Sequence, residues 1–160
     1  MASGVKVGDD VKEMFEKMKL DTQSDERIRV MALEIEDRLI RVTDVIRQKD
    51  IIEQNTDAFE IFKKIMLNKC CCYMVYDCHY EKCEQGGQED LVFSMWTPDS
   101  ATVKAKMHYA SSKNALKNVL KGVKHVLQLN SREDIESIHD FATKLGGRVL
   151  SIEGKCCGQT

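Results

Sequence analysis

The sequence predicts an α/β (α+β) fold in which a central mixed β-sheet of five to six strands is flanked by helices on both faces. Three observations carry this prediction. Segments with apolar residues at i, i+3, i+4 and i+7 alternate with β-branched and aromatic segments along the 160 residues. Two pairs of extended segments are separated only by short polar turns, as in hairpins. With one Pro, nine Gly, no internal repeat and no low-complexity tract, nothing divides the chain, and residues 1–160 read as a single domain. At this length roughly 70% of the unfolded surface is buried on folding, enough for a core without disulfides or metal.

Taken in order, Val11, Met14, Phe15 and Met18 repeat at helical spacing behind Asp9 and Asp10, the candidate caps. Ile28, Val30, Leu33 and Ile35 form an extended segment, Glu36-Asp37 supplies a turn, and Leu39 to Ile46 returns as a second strand. Thr56 to Met66 sets Phe59, Phe62 and Ile65 on one broad helical face. Cys71 to Tyr80 and Leu91 to Trp96 have strand composition and are joined by a polar Gly86-Gly87 loop. Pro98 then interrupts the chain, and Ser100 is placed to cap a long helix reaching about Lys121, with Gly122 as its stop. Val126 to Leu129 is a short strand. Asn130 or Ser131 caps a last helix with Ile135, Ile138, Ala142 and Leu145 on one face, and Gly146-Gly147 ends it before a final strand, Arg148 to Ile152.

Composition excludes several classes. Lys and Arg total 24 against 26 Asp and Glu, a net charge of −2, so the surface as a whole is not built for polyanions such as nucleic acid. The longest apolar stretch of interest, Cys70 to Tyr76, falls far short of the roughly 20 residues of a transmembrane segment. Met1 to Val7 lacks a secretory apolar region, Ala2 excludes N-myristoylation, and Cys157-Gly158-Gln159-Thr160 lacks the aliphatic pair of a prenylation signal. The expectation is a cytoplasmic protein. Seven Cys, an odd number with three consecutive at 70 to 72, suit reduced thiols better than a disulfide framework.

The strongest raw signal is local charge. From Ser100 to Ser131 there is no Asp or Glu, whereas Lys104, Lys106, Lys113, Lys117, Lys121 and Lys124 all lie there. On a helical wheel Ala105, Tyr109, Ser112, Leu116, Val119, Leu120 and Val123 share the core side. The opposite side carries Val103, Met107 and Ala110 inside a ring of lysines. Met is flexible and polarizable, and therefore a good anchor on an interaction surface. A merely solvated lysine face, a helix that docks on an acidic grooved protein, and a site for anionic phosphoinositide headgroups all fit this pattern. Nucleic acid fits least, because no stacking aromatics are interleaved with the lysines.

The run Trp96-Thr97-Pro98-Asp99-Ser100-Ala101-Thr102-Val103-Lys104-Ala105-Lys106-Met107-His108-Tyr109-Ala110-Ser111-Ser112-Lys113 resembles the long-helix signature of the actin-depolymerising factor/cofilin family. Met1-Ala2-Ser3-Gly4-Val5, Tyr73-x-x-Tyr76-Asp77-x-x-Tyr80, Glu89-Asp90-Leu91-Val92-Phe93, Gly122-x-Lys124-His125 and Lys144-Leu145-Gly146-Gly147 resemble it in register; the likeness is weakest between Leu20 and Leu67. The resemblance implies the actin-depolymerising factor homology fold. It also implies a protein that binds actin monomers and filament sides, prefers ADP-bound subunits, and promotes severing and depolymerisation. It places Ser3, Gly4, Val5, Lys104, Lys106, Met107, Lys113 and Lys117 at the monomer-facing site, and Gly86, Gly87, Gln88, Glu136 and Lys144 at a filament-side site. Ser3 becomes an inhibitory phosphorylation site for a kinase and phosphatase, since phosphate adds about −1.5 to −2 charge opposite an acidic partner.

Departures from the family pattern carry their own expectations. Gly86-Gly87-Gln88 stands where vertebrate relatives have adjacent lysines, so weaker filament binding or severing is expected, up to a monomer-sequestering variant. Asn114 replaces the usual Asp, and Asn118 stands where a second basic residue is common. Asp25-Glu26-Arg27-Ile28-Arg29 holds only two basic residues where relatives carry a nuclear-localisation cluster, which argues against nuclear import.

An alternative from a different class is a thiol-based redox or metal-binding protein using Cys70, Cys71, Cys72, Cys78 and Cys83. Geometry opposes it: on one strand Cys72 and Cys78 share a face but lie about 20 Å apart, and no Cys-x-x-Cys occurs. Cys78 and His79 point to opposite sheet faces, a poor nucleophile and base pair. Cys156 and Cys157 read as an exposed tail open to oxidation. In the family's arrangement His125 approaches Asp90, an imidazole and carboxylate that would titrate close to neutral pH and make actin binding pH-dependent. No nucleotide loop, metal-ligand motif or paired acids point to an enzyme, and no cofactor is expected. The expected state is a monomer.

Overall fold

In a computed structural model that describes residues 4–146 and 148–157, the predicted layers form around a mixed sheet. Among the described residues the elements are β1 (Lys6–Val7), α1 (Asp9–Leu20), β2 (Ile28–Glu36), β3 (Leu39–Arg47), α2 (Gln48–Glu53), α3 (Ala58–Leu67), β4 (Cys72–Lys82), β5 (Gly86–Trp96), α4 (Val103–Lys117), β6 (His125–Leu129), α5 (Ile138–Lys144), β7 (Val149–Ile152) and β8 (Lys155–Cys156). The sheet has eight strands among the described residues, more than the five to six expected, and its main path runs β1-β3-β2-β4-β5-β6. Two short strands extend it, with β7 on β4 and β8 on β7. The β1–β3 and β5–β6 pairs are parallel and the others antiparallel. No helix among the described residues is long and apolar enough to cross a membrane.

Strand alternation divides the core into two. In β4, Cys72, Met74, Tyr76, Cys78 and Tyr80 face one side, where Phe59, Phe62 and Met66 of α3 and Phe141 of α5 cover them. Tyr73 and Val75 face the other, beneath Phe15 and Met18 of α1 and Tyr109 and Leu116 of α4. Each fully buried side chain of this size stabilises the fold by about 1.5–3 kcal/mol. Helices on both faces are therefore what let β4 read as a nearly unbroken apolar run.

Several boundaries differ from the sequence expectations, each for a local reason. Gly8, not Asp9 or Asp10, is the N-cap of α1; the acids occupy the first turn, where they complement the helix dipole. The Asp10 carboxylate instead accepts the Val42 N–H at 3.0 Å. The first hairpin turns at Asp37-Arg38, one residue later than expected, with φ of 49° and 63°. Gly86 and Gly87 are not a loop but the start of β5, paired with Lys82 and Glu81. Glu84 and Gly86 take the left-handed conformations of that turn, at φ 69° and 73°.

The expected last helix is two pieces, a 3₁₀ turn at Arg132–Asp134 and then α5. Asp134 Oδ2 accepts the Asn130 and Ser131 N–H groups, whereas Ser137 caps α5 by accepting from Asp140 N at 3.1 Å. A second capping serine inside the apolar pattern thus restarts the helix. The six-residue α2 is invisible to a periodicity search, since only Ile51 of it is buried.

Candidate functional site

The acid-free segment is held rigidly. Before α4, Thr97 Oγ1 donates to Asn130 Oδ1 at 3.0 Å, and the Trp96 indole N–H donates to the Lys69 carbonyl at 3.1 Å. Thr102, not Ser100, is the N-cap, and its hydroxyl accepts from Ala105 N at 3.1 Å. The inner face is fixed by Tyr109, whose hydroxyl accepts the Ile35 N–H at 3.0 Å, and by Tyr73, whose hydroxyl donates to the Tyr109 carbonyl. Ser112 is fully buried, and its hydroxyl donates to the His108 carbonyl at 2.8 Å. The helix ends at Lys117, so Val119, Leu120 and Val123 lie beyond it in the following turn; Leu120 still enters the core.

The outer face is as the wheel places it. Val103 and Met107 are 69% and 65% exposed, and Ala110 is exposed beside them. Lys104 and Lys117 are exposed, whereas Lys106 and Lys113 are partly buried. Burial first, and then the Lys117 ammonium, pull the Lys113 pKa below its ordinary value. With no acid on the helix, this surface offers apolar contact at its centre and positive charge around it. Chemically it suits an acidic protein surface with an apolar cleft. β1 touches α4, which brings the N-terminal segment to the same region; there Gly4 is exposed and Val5 buried. Ser3 lies outside the described residues.

The residues expected on the filament side fall in two places: Gly86, Gly87 and Gln88 at the outer end of the β4–β5 ribbon, and Glu136 and Lys144 around α5, where the Glu136 carbonyl accepts from Lys63 of α3 and Lys144 pairs with Asp134, whose carboxylate accepts the Asn130 N–H. Gly86 and Gly87 are exposed at the outer end of the β4–β5 ribbon, with Gln88 partly buried. From Tyr73 beneath α4 to Lys82 opposite Gly86 the strand spans about 30 Å, so the two surfaces are well separated. Glu136 is exposed just before α5. Lys144 ends α5 and pairs with Asp134 at 3.6 Å, and α5 packs on β7, which pairs with the same ribbon. Glu81, Glu84 and Glu89 flank the tip, together with Lys82, which pairs with Gly86.

His125 and Asp90 are brought together, 4.0 Å apart, with Tyr80 between them. The Tyr80 hydroxyl donates to Asp90 at 2.6 Å and lies 3.3 Å from His125 Nε2, a partner that sequence spacing does not reveal. Burial is the largest influence on His125 and lowers its pKa; Asp90 raises it, and Lys124 and Lys82 lower it further. The net shift is downward from 6.5, against the direction in which the carboxylate neighbour alone would move it. The unfolded chain then binds the proton more readily, so the contribution to stability is complete above 6.5 and is lost as pH falls through the folded value. An NMR titration of the His125 ring is expected to give a midpoint below 6.5.

The thiols separate by face. Cys71 and Cys72 are buried in opposite halves of the core, and Cys78 shares the Cys72 side. Burial pushes the Cys71 and Cys72 pKa values up, which keeps both as thiols. Cys70 and Cys156 are exposed and Cys83 is partly buried, but Cys157, expected in an open tail, is buried against α5 and β7. Among the described residues no group of three or more His, Cys, Asp or Glu is placed to hold a metal ion.

A sheet covered on both faces, with one lysine-ringed apolar helix face turned outward, leaves a surface suited to docking another protein. The chain belongs to the cofilin/tropomyosin-type actin-binding protein family, whose family model matches residues 4–145. Actin depolymerization factor 2 of Plasmodium berghei is similar in structure, with a TM-score of 0.73 at 25% identity over 91% of this chain and 99% of that one. Cofilin of Streptomyces griseoflavus gives 0.72 at 25% identity over 89% and 99%. The ADF-like UNC-60A protein of Caenorhabditis elegans gives 0.69 at 26% identity over 91% and 96%.

Proposed function

We propose that residues 1–160 form one actin-depolymerising factor homology domain that binds actin monomers and filaments, promotes severing and depolymerisation, and catalyses no covalent reaction. The observation that carries this reading is the outer face of α4: two exposed apolar side chains in a ring of lysines, on a helix without acids. Lys104, Lys106, Met107, Lys113 and Lys117, with Gly4 and Val5 alongside, form the monomer-facing site. Phosphate on Ser3 adds negative charge to the N-terminal segment and opposes an acidic partner, which makes a kinase and phosphatase the natural regulators. Phosphoinositide headgroups compete for these ammonium groups. The working location is the cytoplasmic actin cytoskeleton.

A second reading, a monomer-sequestering protein with weak severing, is favoured by the uncharged run Gly86-Gly87-Gln88 at the ribbon tip. High-speed sedimentation of actin filaments with increasing protein tests both. Protein in the pellet supports filament binding; actin moved to the supernatant without it supports sequestration. No change in either partition removes filament-directed activity.

A further inference from the structure

The edge of β4 that faces β2 and β7 changes partner midway. Tyr73 to Tyr76 pair with Leu33 to Val30 of β2, and Tyr80 to Lys82 pair with Ile152 to Val149 of β7. Between these ladders, side chains take the place of a strand. The Arg29 guanidinium donates to the Asp77 carbonyl from Nε at 3.2 Å and from a terminal nitrogen at 3.1 Å. It also donates to Gln48 Oε1 at 2.7 Å and to both Glu153 carboxylate oxygens, at 2.7 and 2.5 Å. Glu153 N donates to the His79 carbonyl at 2.7 Å, and the Glu153 carboxylate accepts the Tyr76 hydroxyl at 2.6 Å and the His79 N–H at 3.3 Å. The Asp77 carbonyl and both backbone groups of His79 thereby find partners.

Glu153 reaches this position because it sits in a two-residue turn between β7 and β8 with φ +52°, followed by Gly154 at +83°. The ion pair is closed to solvent, with side chains only 4% and 8% exposed. Burial opposes the charge on Arg29, and Glu153 foremost, with Tyr76 and the Asp77 carboxylate 3.8 Å away, more than restores it. A buried ion pair of this kind adds little net stability over an apolar pair, but it specifies position, and removing one partner strands the other.

What it positions is the ribbon beyond β2 and β6. β6 pairs only with Val92 to Trp96 and β2 only with Tyr73 to Tyr76, so β7 is the strand that backs the outer half of β4. A two-stranded ribbon alone is marginal in water. That ribbon carries Gly86, Gly87 and Gln88, and α5, which ends at Lys144, packs on β7.

We propose that Arg29 is a positioning residue for the filament-side surface, acting through its buried bond to Glu153 to lock the β7–β8 hairpin against β4. This rests on the actin-binding reading above. The latch lies at the partner gap in β4, on an edge away from the outer face of α4, so its loss separates the two binding modes.

The test compares Arg29→Met with the unaltered protein by hydrogen exchange, monomeric-actin titration and filament sedimentation. Exchange over 149–156 and 77–82 is expected to accelerate at least tenfold while α4 is unchanged. Filament affinity is expected to fall at least fivefold while monomer affinity stays within about twofold. Glu153→Gln, which keeps the shape and removes the charge, gives the same order with smaller changes and serves if Arg29→Met does not fold. Unchanged exchange, faster exchange with unchanged filament affinity, or equal loss of monomer and filament binding overturns the proposal. If the unaltered protein binds no actin, the actin reading fails, and the exchange comparison still decides whether the latch exists.

Discussion

Reversing two lysines, Lys104→Glu with Lys106→Glu, is expected to lower affinity for monomeric actin by roughly a hundredfold, about 3 kcal/mol. The estimate follows from position. Both residues lie at the start of α4 beside the exposed Val103 and Met107, and no acidic residue of the helix offsets them. Each reversal turns an attraction to an acidic surface into a repulsion, and a unit-charge contact near 4 Å is worth about 1 kcal/mol even in bulk water. The double variant should keep its thermal midpoint, because neither lysine makes an ion pair within 4.0 Å among the described residues and the helix is anchored by its other face. Binding titration at low and moderate salt checks this. A loss of less than about threefold would show that the lysine ring is solvated surface and nothing more.

Phe62→Ala is expected to destabilise the fold by about 3–5 kcal/mol, the usual cost of emptying a buried aromatic site. Phe62 is fully buried, stacked on Tyr76 at 4.8 Å between ring centroids, and 5.5 Å from Phe141 and 6.2 Å from Phe59. These rings join α3, β4 and α5, so the surroundings cannot collapse into the void without moving two helices on the sheet. Urea unfolding should show a lower midpoint with an unchanged slope. Because a domain is stable by only about 5–15 kcal/mol, this single change removes a large fraction of the margin. A loss below about 1.5 kcal/mol would mean that the aromatic cluster is loosely packed.

The layers and the outer face of α4 were legible because periodicity encodes them directly. Val103 and Met107 fall on the solvent side of a wheel whose other side holds Tyr109 and Leu116, and the structure leaves them exposed and buried respectively. What periodicity misses is set by groups that compete for backbone hydrogen bonds. Thr102 caps α4 where Ser100 was expected, and the expected Ser131 caps only the 3₁₀ turn while Ser137 caps α5, because a cap depends on φ, ψ and hydroxyl reach rather than on residue type alone. Gly86 and Gly87 look like a loop, yet pair as strand once Glu84 and Gly86 accept positive φ. Spacing also does not reveal that burial outweighs Asp90 in setting the direction of the His125 shift. Arg29 and Glu153, 124 residues apart, meet only because β2 and β7 share one edge of β4.

The measurement closest to the central claim is a hydrogen-exchange footprint of this protein on monomeric actin, read along the whole chain. Protection is expected over the first three turns of α4, from Val103 to Lys113, and over the segment at Gly4 and Val5, with α3 and α5 unchanged. Protection confined to α3 and α5, or none at saturating actin, would contradict the assignment of the lysine-ringed face of α4 as the surface that binds actin.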